Sequence, residues 1–497
     1  MQALRHLFNK TRLESIVFSH FIIKIKEERT NFAGVINYRK KTKQDMSNVI
    51  HRILLVSFSL LCFGKVLAQG DLTHEVAANT EQWPVPQPDA SWKLEYLPHN
   101  NANHNVYVYK DKLYDELFTR TLGWNGGDGV QTTLLPDGNV FWSFNDSFYG
   151  RATGATTRIR QSCNFPRNSI MVQTPGEDGL PGTKSTNQKW LADWVQRSNS
   201  SGNGYYHCRT HIRHPKGEKT DAQIKNGEID QTYLYWAGDG TVVDGQLQVL
   251  WAGVYNGTEN LMQSDNRALA IYSLEGTPGS STYLKLISVD HNFFEKDPIG
   301  YGNTLWEDED GHTYLYSCYQ FKKNADDALN TSSPVVARSQ THDLRSPWEY
   351  YVADANGTFH WQSTYPTDAE VRRSAISSRS VSTAWVFKDG DWYYMTAQGY
   401  VFSKQMYIMR SRNPWGPFEE CHQLWTMPWV LDKIGRRTYG KFYMPHLHQS
   451  LSREGELVFS TNTDCDEWND NFNSKGSADF YRPYFFRVYN WKAIFEE

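Results

Sequence analysis

Two aspartates give this chain its clearest chemical signal. Asp128 lies in Gly126-Gly127-Asp128-Gly129, and Asp146 lies in Phe144-Asn145-Asp146-Ser147. Between them runs Leu135-Pro136-Asp137-Gly138-Asn139, a turn whose glycine can take positive φ, flanked by β-rich runs. With a three-residue turn over 136–138, Leu135 faces Asn139, and counting outward brings Asp128 opposite Asp146. A two-residue turn shifts the pairing by one and still leaves them neighbours. Val130, Thr132, Leu134, Val140, Trp142 and Phe144 share their face, so the carboxylates end a mostly apolar stripe. Like charges opposed in a sheet repel, and partial burial raises a carboxyl pKa. Such a pair can share a proton or divide into acid and base. The same residue types also cap turns. Clustered carboxylates and carbonyls would also allow a structural calcium; no other metal or cofactor is implied. The glycines around Asp128 are expected to keep the approach open.

Further polar residues fall at predicted strand ends: Asn168, Asn303, His448 and Asn462. With Trp124 and Trp142 as stacking platforms, they are the candidate substrate contacts, each with structural hydrogen bonding or core packing as its rival. Glu370, beside Asp368 in a loop, is the candidate third acid; a solvated loop face is the alternative.

The elements that must position these residues repeat. An acidic residue and a glycine, followed by an apolar run, recur with glycines at 138, 245, 311, 390 and 455. These are too far apart for a sandwich, where turns come about every 8–12 residues. Ala337-Arg338-Ser339 leads to Pro347-Trp348-Glu349-Tyr350, and Met409-Arg410-Ser411 leads to Pro414-Trp415-Gly416-Pro417-Phe418. Each reads as a strand, a turn and an outer strand. Five such units predict an all-β, five-bladed β-propeller over 116–497. Residues 69–115 precede it as an arm or a blade-closing strand. The Gly/Ser/Lys-rich insertion 174–230 is expected to line the binding face and to hold a short helix over 187–196.

Composition agrees. The chain of 497 residues carries 18 Trp, 29 Tyr and 25 Phe, which argues against coiled coils, helical bundles and disorder. No apolar run is long enough to span a bilayer. His51-Arg52, the apolar run 53–64 and Val66-Leu67-Ala68 form a three-part secretory leader over 46–68. Residues 1–45 read as an over-extended reading frame or a long n-region. The expected destination is the periplasm, cell surface or medium. Removing the twelve basic and four acidic residues of 1–68 from totals of 51 and 55 leaves a net charge of −12. That excess disfavours nucleic acid and fits a soluble exported protein, expected as a monomer, that handles neutral or mixed substrates. Five cysteines remain, with no zinc spacing, and buried free thiols are expected for most.

Gly126-Gly127-Asp128-Gly129, Leu135-Pro136-Asp137-Gly138 and Trp142-Ser143-Phe144-Asn145-Asp146-Ser147-Phe148 together resemble the first blade of secreted bacterial propellers grouped as domains of unknown function. Some relatives of that group are endo-D-arabinanases. Its usual pattern has Gly and Thr where this chain has Asn145 and Ser147. His448-Gln449-Ser450-Leu451-Ser452 resembles the group's His-Pro-Glu-Leu-Ser element without its Pro and Glu, so arabinan specificity is not carried over. The Pro-Trp-Gly-Pro-Phe run is similar to one in five-bladed glycosidases more widely. The resemblance implies that Asp128 and Asp146 are the catalytic acids of a glycoside hydrolase, one protonating the leaving oxygen, the other acting as base or nucleophile. The alternatives are a non-catalytic glycan-binding propeller and a polysaccharide lyase with a base such as His448.

Overall fold

The computed structural model describes residues 93–97 and 106–496, apart from 162, 199–203, 218–231, 257–262, 321–331, 428–440 and 466. The expected leader, everything before it and most of the arm lie outside the described residues.

The described chain is all-β, built from antiparallel sheets with few helices. Five sheets have four or five strands, taken here in chain order. The first holds Gln131–Leu134, Val140–Phe144, Ser169–Gln173 and Gln188–Trp190. The second spans Tyr233–Phe294, the third Thr304–Gln362 and the fourth Thr383–Thr426. The fifth joins Lys441–Leu447, Glu456–Asp464 and Pro483–Tyr489 to the early strands Tyr107–Asp111 and Leu94–Leu97. Two small sheets complete the set: Leu122–Gly127 with Ser147–Thr153 and Ile159–Arg160, and Trp194–Ser198 with Gly204–Cys208.

The five acidic-Gly turns each fall between the first and second strands of a large sheet, with the glycine at φ between +59° and +90°. The fifth is looser than a hairpin, because a 3-10 turn at Gln449–Leu451 precedes it. The two Arg-Ser repeats end third strands, at Ser339 and Ser411, as their pattern predicts. The helix expected over 187–196 is not formed. Gln188–Trp190 is instead the outer strand of the first sheet, and Trp194–Ser198 pairs with Gly204–Cys208. Tertiary pairing has overridden a weak local preference there.

Five apolar cores lie between successive sheets. Phe141 and Ile170 meet Leu247 and Trp251. Leu250 and Leu269 meet Leu315 and Ala337. Tyr314 and Val336 meet Val386 and Met395. Trp385 and Ile408 meet Phe459 and Phe486, and Trp142 and Phe144 meet Val458 and Phe485. Each large side chain so buried contributes about 1.5–3 kcal/mol before entropy is counted. Polar bonds join the leading strands as well. Leu305 N donates to Asp239, Thr304 to the Ala384 carbonyl, Gln449 to the Val386 carbonyl, and Thr132 bonds His448 Nδ1 at 2.9 Å. The buried Arg487 pairs with Asp111 and Glu456, tying the early strand to the C-terminal ones.

All five described cysteines are free thiols. Among the described residues no helix is long and apolar enough to cross a membrane, and no group of three or more His, Cys, Asp or Glu could hold a metal ion.

Candidate active site

The hairpin has the register its turn demands. Leu134 pairs Val140 and Gln131 pairs Ser143 in the first sheet. The same register resumes beyond the aspartates, where Gly127 pairs Ser147 and Gly126 pairs Phe148. Asp128 and Asp146 sit opposite each other at the break between the two sheets. Asp128 N donates to the Asp146 carbonyl at 3.3 Å, and Asn145 N to the Asp128 carbonyl at 2.7 Å.

The glycines serve close backbone packing rather than an open approach. Gly129 has φ +57°, and a Cβ there would lie 1.9 Å from the Asn145 side chain. A Cβ on Gly126 would lie 2.4 Å from Arg160 and 2.7 Å from the Tyr481 carbonyl. Gly127 N donates to that same carbonyl at 2.6 Å.

Both carboxylates are buried, Asp128 at 7% and Asp146 at 5% exposure. Their surroundings differ. Asp128 is served by the fifth sheet: the Tyr443 hydroxyl donates to Oδ2 at 2.6 Å, and the Tyr481 hydroxyl also acts on it. Burial and then the Asp146 charge push the Asp128 carboxyl up to about 7 against those two phenols. Asp146 lies beside the buried Arg167, whose Nε is 2.9 Å from Oδ1. That approach suits an ion pair but is poorly aligned for a hydrogen bond, so the attraction is mainly charge on charge. Burial raises Asp146, while Arg167 and the Trp236 indole oppose the rise. Tyr443 and Tyr481 are themselves raised well above the ordinary phenol range, first by burial, and remain donors. The pair can therefore hold one proton, with the cation favouring charge on Asp146 and leaving the proton to Asp128.

Several expected contacts are structural. Trp124 and Trp142 are fully buried, so neither can be a sugar platform. Trp124 stacks on Trp190 with centroids 4.7 Å apart, and Trp142 donates to Gln173 at 3.0 Å. Asn168 is buried and bonds Ile212 through both its amide nitrogen and oxygen, and the Tyr235 carbonyl as well. His448 is buried, with Nδ1 on Thr132 and Nε2 on Ser460 at 2.7 Å. Burial holds it well below its ordinary pKa, so it is a neutral link between sheets. Asn462 is buried opposite Tyr443 in the fifth sheet. Asn303 is exposed, and its carbonyl accepts from Gln131. Glu370 closes a capping box with Thr367 on an exposed helical turn, and Thr367's backbone N–H and hydroxyl hold it below the usual carboxylate range.

Residues missing from the sequence reading are Arg167, Trp236, Tyr443 and Tyr481. No sequence motif marks Tyr481; in the fold its φ is +58°, a strained value for a non-glycine residue.

Sheets, register and side-chain burial thus define an all-β protein with two opposed, buried carboxylates. The chain belongs to the family described as a domain of unknown function, DUF5005, whose model matches residues 111–491. It is similar to the crystal structure of a candidate hydrolase from Bacteroides ovatus ATCC 8483, at 51% identity over 84% of this chain and 99% of that one, with a TM-score of 0.75. Much weaker is the likeness to the GH43_1 enzyme from Xanthomonas citri complexed with xylose, at 13% identity over 75% and 88% of the chains, with a TM-score of 0.36. A B. subtilis levansucrase variant, at 12% identity over 82% and 89%, has a TM-score of 0.37. At those scores nothing is carried across. No curated protein matches the chain.

Proposed function

We propose that this protein is an exported glycoside hydrolase on a five-bladed β-propeller, cleaving a glycan with Asp128 as general acid and Asp146 as base or nucleophile. Five sheets in chain order, each sharing a core with the next and the first sharing one with the fifth, favour closure into a ring. The strands Leu94–Leu97 and Tyr107–Asp111, completing the sheet that the C-terminal strands begin, would fasten it.

The observation that carries the chemistry is the asymmetry of two opposed, buried carboxylates. A protonated Asp128 can give its proton to the leaving glycosidic oxygen. An Arg167-paired Asp146 stays charged to activate water or to attack the anomeric carbon. His448, with both ring nitrogens bonded and its pKa depressed, is poorly suited to the base of a lyase.

The test is incubation with a panel of plant and microbial polysaccharides, analysed by mass for addition of water. Asp128→Asn and Asp146→Asn should each lose at least about a hundredfold in rate while remaining folded. Full activity in either variant, or binding of glycan without cleavage by the wild type, would overturn the reading.

A further inference from the structure

Two connections occupy equivalent places in neighbouring sheets. Residues 145–168 join the second and third strands of the first sheet, and residues 465–482 do the same in the fifth. The first carries Asp146, Phe165 and Arg167; the second carries Trp468 and Tyr481. Buried arginines clamp them together. Arg160 donates to the carbonyls of Asn471, Ser477 and Phe480 and to Asn125, and Arg158 pairs with Asp479 at 2.6 Å. Backbone bonds add to the clamp, from Asn473 to Arg160, Ala478 to Arg158 and Gly476 to Thr157.

On this rigid rim stands an aromatic wall. Phe165 meets Trp468 edge to face at 5.1 Å, and both meet Phe148, at 4.8 and 5.5 Å. Phe165 and Trp468 are only half-buried. The wall is continuous with the carboxylates at both ends. The Arg167 guanidinium lies 5.2 Å over the Phe165 ring while pairing with Asp146. Tyr481 touches the wall through Phe148 at 5.3 Å while its hydroxyl acts on Asp128.

We propose that Phe165 and Trp468 form a glycan subsite, in which a sugar ring beyond the two that flank the cleaved bond lays its apolar C–H face on the tryptophan. The proposal rests on the glycosidase reading above and adds the place where the chain beyond the reacting sugar is held. A preformed aromatic face with polar groups at its edge is how small-molecule sites fix orientation. Holding it on clamped loops lowers the ordering cost of binding.

The test uses the full chain as the Asp128→Asn variant, titrated calorimetrically with xylan-, arabinan-, galactan- and β-glucan-derived oligosaccharides, from disaccharide to hexasaccharide. Adding Trp468→Ala should weaken binding of the longer members about fivefold to tenfold, with little change for the disaccharide. Trp468→Phe should recover most of the loss. In the active enzyme the same substitutions should raise KM for long substrates more than for short ones. Circular dichroism of each variant guards against a folding defect. Equal affinity at every length in Trp468→Ala would overturn the subsite while leaving the glycosidase intact. If no oligosaccharide binds and no polysaccharide is cleaved, both readings fall.

Discussion

The Tyr443 hydroxyl donates to Asp128 Oδ2 across 2.6 Å, joining residues 315 positions apart. Asp146, a hairpin's width away, has an arginine instead. A phenol stabilises a carboxylate less than a cation does, because it brings a dipole and not a charge. The two partners therefore separate two carboxyls that the hairpin alone would leave equivalent.

Replacing Tyr443 by Phe removes a donor that favours ionised Asp128, so that carboxyl rises further. If catalysis needs Asp128 protonated, activity falls as pH climbs through its pKa. The alkaline limb of kcat/KM should then move up by about one pH unit, the scale of one hydrogen bond to a charged group. An unmoved limb would assign the acid's role elsewhere.

How far the site was legible follows from distance along the chain. The facing of Asp128 and Asp146 is local: the 136–138 turn sets it, and every pair from Leu134–Val140 to Gly126–Phe148 keeps the count. The placing of Trp124 and Trp142 is not local. Alternation puts them on a stripe, but only the arrival of Val458 and Phe485 makes that stripe a core and not a surface. His448 and Asn168 were found as polar strand-end residues, yet their partners come from other sheets and use up their hydrogen-bonding groups. Tyr443 and Tyr481 sit in segments with no motif of their own. Glu370 reads as an acid in a loop, yet Thr367-x-x-Glu370 is itself a capping-box spacing, legible in the sequence.

Arg167→Met should raise the Asp146 carboxyl, since the lost cation favours its charged form. The acidic limb of the pH–rate profile would move up while the alkaline limb changes less, narrowing the bell and lowering its peak by roughly tenfold or more. Arg167→Lys keeps a positive charge and should restore part of the width. A bell of unchanged width in Arg167→Met would show that the arginine does not set the base.

Arg160 is fully buried, and its guanidinium donates to asparagine oxygens and backbone carbonyls. Arg160→Met would strand several acceptors, each costing about 1–3 kcal/mol if water cannot reach it. Calorimetry should show a Tm lower by several degrees. Activity measured below the new transition should also fall, because the arginine ties Asn125 to the loop that carries Tyr481. A stability loss with unchanged kcat would limit Arg160 to a folding role.

The last prediction sets stability against function at Asp128. Its carboxyl titrates near 7 in the fold, against an ordinary 3.8. Between those values the folded chain keeps a proton that the unfolded chain has released. The group's favourable contribution is therefore complete below about pH 4 and is lost as pH rises through about 7, above which the fold bears a buried charge. Asparagine never bears it. Asp128→Asn should raise Tm by roughly a few degrees at about pH 8 and change it little at about pH 5, even as it abolishes turnover. Scanning calorimetry of both proteins across that range decides the matter. A Tm difference independent of pH would mean that the Asp128 carboxyl is not held protonated by the fold, and the acid would then have to be sought at Asp146.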